Sequence, residues 1–335
     1  MITLNNVTKV FGDTTAVDGI SFHVEDGELF GLIGTSGCGK TTTLRMINRL
    51  IEPTSGTISI DGRETTAQRS EILRRQIGYV IQNVGLFPHY SVQQNIATVP
   101  RLLNWDERRI QSRSEEMLQL VGLDPNTFAE RPPASLSGGQ QQRVGLARAL
   151  AADPPILLMD EPFGALDPIT KQQVRSEVSQ MLKQIHKTIV LVTHDVFEAF
   201  EMCDRLCLLN RGEIQQIGMP KELLFQPAND FVESFFASNR FQVELLSVTL
   251  ADILKSEQGK TELYWSPPLE EENGEEIRKE ESLYAILYKL EKAANDNPVI
   301  IKRVDGQVRE SLGFSALLNR FQQYKLQIKS GGHRD

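Results

Sequence analysis

Cysteine, long apolar runs and positive charge are all scarce in this sequence of 335 residues. The three cysteines, Cys38, Cys203 and Cys207, are too few for a disulfide framework, and an odd number suits a reducing compartment. No apolar run reaches the roughly 18 residues that a membrane-spanning helix needs. The formal net charge of −8 argues against a general nucleic-acid-binding protein, because such proteins are usually basic.

The N-terminus also lacks the basic-then-apolar segment of a secretory signal, so we expect the chain to stay on the cytosolic side. What the sequence does contain is enough apolar material for a sizeable core, since 40% of its residues are hydrophobic. Its length predicts about two domains, with room for a further subdomain.

The clearest motif is a glycine-rich loop that matches G-x-x-x-x-G-K-[ST], the pattern of loops that wrap nucleotide phosphates. It consists of Gly34, Thr35, Ser36, Gly37, Cys38, Gly39, Lys40 and Thr41. An apolar run over 29–33 predicts a buried strand before the loop. Leu44, Ile47 and Leu50 share one face of a helix predicted after it. A strand, a loop and a helix start are the setting in which this motif binds phosphate.

The residue types in the loop suit that chemistry. Gly34, Gly37 and Gly39 allow positive φ and a close approach of the backbone, so that several N–H groups point at an anion. Lys40 would reach the β- and γ-phosphates, and the Thr41 hydroxyl would be a ligand of Mg²⁺. Cys38 either makes the loop sensitive to thiol reagents or fills a position for a small residue. Cys203 and Cys207 are either metal ligands or two small core residues.

Three further apolar runs, at 77–81, 156–159 and 188–192, predict buried strands. Strands and helices alternate along the chain, which predicts a mainly parallel sheet covered on both faces. Because parallel strands end at one edge of a sheet, we expect the residues that follow them to lie near the phosphate loop. Those residues are Gln82, Asp160, Glu161 and His194.

Each of these residues suggests a role. Asp160 would hold Mg²⁺, directly or through water, and Glu161 would polarise the attacking water. A bare Asp-Glu pair can also be a solvated strand end, and a lone histidine is more often structural. His194, at the end of its strand, would sense the γ-phosphate. A second anion-ready helix start occurs at 136–140 (LSGGQ), where Ser137 is the expected N-cap of a helix from Gln141 to about Ala152.

Over about residues 1–237 the chain resembles the ATP-binding subunits of ABC transporters. The matching elements stand in the order of that family. They are the aromatic Phe11, the loop at 34–41, Gln82, LSGGQ at 136–140, ILLMDEP at 156–162, GALD at 164–167 and His194.

The resemblance implies an α/β fold of the P-loop NTPase type: a RecA-like core sheet, an antiparallel β subdomain and a helical subdomain at about 90–150. It also implies a head-to-tail homodimer in which ATP lies between the loop of one copy and Ser137, Gly138, Gly139 and Gln140 of the other. Phe11 then resembles the adenine-stacking residue, and Thr42 belongs to the ATP-binding residues with the loop.

The same resemblance assigns the remaining roles. Glu161 is similar to the catalytic base and His194 to the switch that contacts the γ-phosphate. Gln82 resembles the residue that contacts Mg²⁺ and water and reports to the membrane subunit, and Asp167 the one that contacts the other copy. The implied ligands are ATP and Mg²⁺.

Within the family, the segments GTSGCGKTTTLRMINRL and DEPFGALDP are similar to importers of osmoprotectants such as glycine betaine, choline and carnitine. Integral-membrane permease subunits and, indirectly, an extracytoplasmic solute-binding protein are the implied partners, with no nucleic acid. The implied location is peripheral, at the cytoplasmic face of the cell membrane. Importers of other small solutes, such as amino acids or polyamines, share much of this frame, and an exporter subunit or a non-transport ABC ATPase is an alternative.

The C-terminal quarter differs in composition. Residues 238–281 include an acid-rich stretch from Glu270 and are predicted to be a linker. Residues 282–328 predict a small α+β module in the order helix, strand, strand, helix, which resembles a degenerate CBS module. Osmoprotectant ATPases often carry two such modules as a regulatory tail, and only one stretch is recognisable here. The module is therefore either regulatory or a structural or dimerising appendage.

Overall fold

The computed structural model describes residues 1–82, 85–255, 281–292, 299–302, 308–312 and 314–331. The chain divides into two compact units, Met1–Met219 and Pro220–Asp335. The predicted boundary at residue 237 lies inside the second unit, and the segment 220–237 belongs to that unit. No helix within the described ranges is both long and apolar enough to cross a bilayer.

The described residues of the first unit form ten strands and nine α-helices. The strands are β1 (Ile2–Phe11), β2 (Thr14–Val24), β3 (Leu29–Gly34), β4 (Ser55–Ile60), β5 (Arg63–Glu64), β6 (Ile77–Val80), β7 (Ile156–Asp160), β8 (Thr188–Val192), β9 (Arg205–Asn210) and β10 (Glu213–Gly218). The helices are α1 (Lys40–Ile47), α2 (Ser70–Arg75), α3 (Val92–Ile96), α4 (Thr98–Leu102), α5 (Glu107–Leu120), α6 (Pro125–Phe128), α7 (Gly138–Leu150), α8 (Pro168–Gln184) and α9 (Val196–Met202).

Six strands make the central sheet, in the order β10-β9-β3-β8-β7-β6. The five strands from β9 to β6 are parallel, and β10 is antiparallel to β9. Every residue of β3, β7 and β8 is buried, as their continuous apolar sequences predict for strands covered on both faces. The parallel core sheet is confirmed.

A second sheet of four antiparallel strands has the order β2-β1-β4-β5, and it is the predicted β subdomain. The predicted helical subdomain is present as α3–α7. Polar side chains cap its helices: Ser91 begins α3, Asp106 begins α5 and Ser137 begins α7.

One detail of the prediction is wrong. Helix α1 ends at Ile47, so Leu50 is not on its apolar face and is 45% exposed. The chain leaves the helix at Arg49, which has a positive φ of 47°.

The second unit contains α10 (Pro220–Phe225), α11 (Asp230–Phe236), α12 (Arg240–Ser247), α13 (Leu250–Lys255), α14 (Leu283–Lys292), β11 (Val299–Lys302), β12 (Val308–Leu312) and α15 (Phe314–Gly331). The predicted order of helix, strand, strand and helix is present as α14, β11, β12 and α15, and the strands pair antiparallel. The linker prediction is wrong for 240–255, because α12 and α13 bury Val243, Val248 and Ile253. The acid-rich stretch at 270–280 lies outside the described residues.

Candidate nucleotide site

The loop between β3 and α1 takes a backbone shape that requires glycine. Gly34, Gly37 and Gly39 have φ values of 144°, 75° and 104°. A Cβ on Gly34 would lie 2.1 Å from the carbonyl oxygen of Leu209, and one on Gly39 would lie 2.5 Å from that of Ala16. At Gly34 and Gly39, both the backbone conformation and the lack of space therefore require glycine.

The loop has an exposed part and a buried part. Thr35, Ser36 and Gly37 are exposed, whereas Lys40 is only 6% exposed. The Lys40 ammonium donates to the carbonyl oxygens of Gly34 and Thr35, both at 2.9 Å, and so lies across the loop. The first turn of α1, which includes Thr41 and Thr42, contains no acidic residue of its own, so no side chain within that turn offsets the positive end of the helix dipole.

Asp160 joins the loop to the neighbouring strand end. The hydroxyl of Thr41 donates to Oδ1 of Asp160 at 2.8 Å, and the carboxylate is only 4% exposed. Burial raises the pKa of Asp160, and hydrogen bonds from Thr41 and Tyr79 and the charge of Arg45 act against that rise. Tyr79 and Arg45 support the site but were not predicted, since neither belongs to a recognisable motif.

Glu161 is the centre of a second cluster. Its carboxylate oxygen Oε2 accepts a 2.9 Å hydrogen bond from Nε2 of Gln82 and lies 3.2 Å from Nδ1 of His194. These residues follow β6, β7 and β8, which are adjacent in the sheet. The three side chains therefore lie together at one edge of the sheet, as the sequence predicts. Glu161 itself has a positive φ of 45°, an uncommon conformation for a residue with a side chain.

The donor groups fit Mg²⁺. The Thr41 hydroxyl, the Asp160 carboxylate and the Gln82 amide all present oxygen, which is what this hard cation binds in proteins. Only one of the three is an acid. Mg²⁺ in nucleotide sites commonly takes one or two carboxylates and fills its shell with water and phosphate oxygen.

The 136–140 segment forms a separate helix start. Ser137 caps α7: its Oγ accepts from the N–H of Gln140 at 3.3 Å, and the Gln140 side chain accepts from the N–H of Ser137 at 3.0 Å. Ser137 and Gly138 are exposed, and Gly139 packs so closely that a Cβ there would lie 2.9 Å from Val174. The start of α7 is thus open to solvent at Ser137 and Gly138, as an anion site at a helix N-terminus requires.

Two other predicted residues lie at the surface of the first unit. Phe11, at the end of β1, is 48% exposed, with the Lys9 ammonium 4.9 Å from its ring centre. Asp167 is exposed and caps α8 by accepting from the N–H of Thr170 at 3.1 Å.

The three cysteines are free and buried. Burial raises the pKa of the Cys203 and Cys207 thiols well above the usual range, which disfavours the thiolate that would bind a metal. Among the described residues, no group of three or more His, Cys, Asp and Glu side chains could hold a metal ion. These observations favour the interpretation of Cys203 and Cys207 as core residues.

Comparison with known proteins finds relatives that are ATP-binding proteins, in agreement with a nucleotide site. Residues 17–164 match the sequence model of the family described as ABC transporter. The chain is 52% identical to the choline transport ATP-binding protein OpuBA of Bacillus subtilis, over 72% of this chain and 63% of that protein. It is 50% identical to the glycine betaine uptake system ATP-binding protein YehX of Escherichia coli, over 77% of this chain and 84% of that protein.

Solved structures show the same architecture. The ATP-binding cassette MJ0796, in a dimeric post-hydrolysis state bound to ADP and Pi, superposes with a TM-score of 0.58. The two are 34% identical, and the match covers 65% of this chain and 98% of the cassette. The matched region thus spans nearly the whole cassette but under two thirds of the choline relative, at 63%.

Proposed function

Because the chain belongs to the ABC transporter family of ATP-binding proteins, we propose that it is the ATP-hydrolysing subunit of an importer for a quaternary-amine osmoprotectant. The ATPase half of this proposal rests on one observation above all. Gln82 and His194 meet on a single carboxylate oxygen of Glu161, beside the Asp160 that hydrogen-bonds the phosphate loop. The solute half rests on the relatives, whose names specify choline and glycine betaine.

ATP would bind with its phosphates on the N–H groups of 34–39 and on the Lys40 ammonium. Lys40 already lies across the loop, so it can reach the β- and γ-phosphates with little rearrangement. Thr41 and Thr42 begin α1 and add hydroxyls at the positive end of the helix. Phe11 presents its ring at the surface, as a residue that stacks on adenine must.

Thr41, Asp160 and Gln82 would hold Mg²⁺. The ion would neutralise charge on the β- and γ-phosphates, which lowers the cost of transferring the terminal group to water. Burial raises the pKa of the Asp160 carboxyl group, so a bound cation would offset the cost of its buried negative charge.

Glu161 would accept a hydrogen bond from the attacking water and take its proton as the water oxygen bonds to the γ-phosphorus. The bond from that phosphorus to the β–γ bridging oxygen would break, and ADP would leave. Gln82 and His194 hold the carboxylate from two sides, so its orientation is set before ATP binds. His194 is 58% exposed and would also contact the γ-phosphate.

The site would be completed by a second copy of the chain. Ser137, Gly138, Gly139 and Gln140 of that copy would place the start of its α7 against the γ-phosphate, and its Asp167 would contact the first copy. Hydrolysis would therefore follow closure of a head-to-tail homodimer. A relative of this fold is dimeric with ADP and Pi bound, which supports such an assembly.

The ATPase would act at the cytoplasmic face of the membrane, bound to permease subunits that receive solute from an extracytoplasmic binding protein. Movement of Gln82 would report nucleotide state to the permease. The C-terminal module at 282–328 would either regulate the importer or hold its two ATPase copies together.

Two assays test this function. Purified wild-type chain should hydrolyse ATP in the presence of Mg²⁺. Cells that depend on this subunit should take up glycine betaine, choline or carnitine with the wild-type chain and fail with Glu161→Gln. A panel containing an amino acid and a polyamine separates the alternatives: dependence of one of those solutes, with no quaternary amine responding, would overturn the proposed cargo and leave the ATPase intact.

A further inference from the structure

Helices α8 and α9 are joined by two ionic contacts about one helical turn apart. Nearer the site, the ammonium of Lys171 lies 2.8 Å from Oδ2 of Asp195 and 2.7 Å from Oε1 of Glu198. Further along both helices, Nε of Arg175 lies 2.6 Å from Oε2 of Glu201. The Lys171 and Arg175 side chains are similarly buried, at 17% and 13% exposed.

The Lys171 contact fixes the residues on both sides of His194. Glu198, which binds Lys171, accepts a 2.5 Å hydrogen bond from the hydroxyl of Thr193. That hydroxyl in turn accepts from the N–H of Asp195 at 2.9 Å, and Asp195 also binds Lys171. The residue before His194 and the residue after it are thus held by one ammonium group.

The same lysine is tied to the start of α8. Its backbone N–H makes the regular helical bond to the carbonyl oxygen of Asp167, at 2.8 Å, in the first turn of the helix that Asp167 caps. Lys171 therefore connects the position proposed to touch the second copy with the segment that carries His194.

We propose that Lys171 is a positioning residue that holds His194 at Glu161 and links that arrangement to the dimer contact at Asp167. This inference rests on the proposed ATPase function. It predicts that closure of the dimer at Asp167 and placement of His194 on the γ-phosphate are coupled within each copy.

Charge explains why the lysine matters. Glu198 is only 2% exposed, and burial raises its pKa although Lys171 pulls it down. Burial likewise opposes the charge on Lys171, but hydrogen bonds to the two carboxylates outweigh it and raise the pKa of that ammonium. Removing the ammonium would leave the buried Glu198 and the partly buried Asp195 without a shared cation, and the segment 193–195 would shift to separate or solvate the two acids.

The test compares three variants of the full chain. Lys171→Met removes the ammonium, Lys171→Arg keeps the charge, and Arg175→Met breaks the matched contact between the same two helices. We expect Lys171→Met to lower kcat for ATP at least about tenfold, or ~1.4 kcal/mol of barrier, while KM changes less than about threefold. Lys171→Arg should recover most of that loss, and Arg175→Met should keep kcat within about twofold of the wild type. Equal losses of kcat in both methionine variants would reduce Lys171 to a structural residue and overturn the proposal.

A second readout does not depend on hydrolysis. The chain has five histidines, so the ring signals of His194 can be assigned in a spectrum of histidine-labelled protein by comparison with His194→Gln. The His194 signal should move in Lys171→Met and stay in place in Arg175→Met. An unmoved signal in Lys171→Met would overturn the positioning role. Absence of ATP hydrolysis by the wild-type chain would instead count against the proposed function, and the spectrum would still decide the inference.

Discussion

Gln82 donates a 2.9 Å hydrogen bond to the same oxygen of Glu161 that lies 3.2 Å from Nδ1 of His194. The residues come from the ends of three adjacent strands and are far apart in sequence, since Gln82 and Glu161 are separated by 79 positions along the chain. Two neighbours on one carboxylate oxygen restrict how that carboxylate can turn. A carboxylate that accepts a proton from one attacking water molecule needs such a fixed orientation.

Glu161→Gln should bind ATP nearly as well as the wild type but hydrolyse it much more slowly. The amide keeps the size of the side chain and loses the basic oxygen, so we expect kcat to fall at least about 100-fold. Steady-state hydrolysis and binding of a fluorescent ATP analogue measure the two effects. Glu213→Gln, an exposed change at the start of β10, is the matched control. An unchanged kcat in Glu161→Gln would remove this residue as the base.

Tyr79→Phe should move the acid limb of Mg²⁺-dependent ATP binding to higher pH. Burial already raises the pKa of Asp160, and the Tyr79 hydrogen bond is one of the interactions that lower it. Without that bond the pKa rises further, so the carboxylate that Mg²⁺ needs is lost earlier as the pH falls. Titrations of ATP binding from neutral to acid pH measure the shift. Tyr90→Phe, at an exposed tyrosine, should leave the midpoint in place, and an unmoved midpoint in Tyr79→Phe would contradict the argument.

Much of the site could be predicted because its signals are local. The loop at 34–41 and the acids at 160–161 each lie within a few residues of a buried strand. Because those strands are parallel, the residues that follow them lie at the same edge of the sheet. Tyr79 was missed because its partner Asp160 is on another strand, and a single sequence does not reveal register between strands. Lys171 was missed for the same reason, since its acids lie on the next helix.

In the second unit, contacts between residues far apart in sequence again limited what could be predicted. Residues 240–255 were predicted as a linker although they form α12 and α13. Glu244 interrupts the apolar pattern of α12, and its complete burial depends on contacts with Arg240 and with Lys325 on α15. That second partner lies 81 residues away, so the helix could not be recognised as a buried one from its own sequence.

Gly34→Ala should destabilise the first unit more than an alanine at a glycine with open surroundings. Gly34 and Gly27 have positive φ values of 144° and 73°, and such conformations cost about 1–3 kcal/mol for a residue with a Cβ. At Gly34 the Cβ would also lie 2.1 Å from a backbone oxygen of β9, and relieving that clash should cost about 1–3 kcal/mol more. Gly27→Ala has nothing within 4 Å and isolates the first cost. Urea unfolding of both variants measures the difference in the free energy of unfolding. An equal decrease in both variants would show that the loop rearranges to accommodate the added methyl group without further cost.

Ser137→Arg should leave ATP binding to the loop intact and prevent closure of the dimer. Ser137 is exposed and caps α7, so a long cation there would stand where a second copy must approach. Ser91→Arg is the matched control, because Ser91 caps α3 with the same reciprocal bonds to a glutamine three residues later. Both changes remove a cap worth about 1 kcal/mol, so lost helix stability alone would affect them equally.

The two serine variants are best compared in the Glu161→Gln background, where slow turnover should keep ATP bound. Size-exclusion chromatography with light scattering, with Mg²⁺ and ATP, should give a dimer for Glu161→Gln alone and with Ser91→Arg, and a monomer with Ser137→Arg. Binding of a fluorescent ATP analogue should be similar in all three, since the loop at 34–41 is unchanged. A Ser137→Arg variant that still dimerised with ATP would place the second half of the site elsewhere. A variant that also lost ATP binding would show that α7 contributes to the site of its own copy.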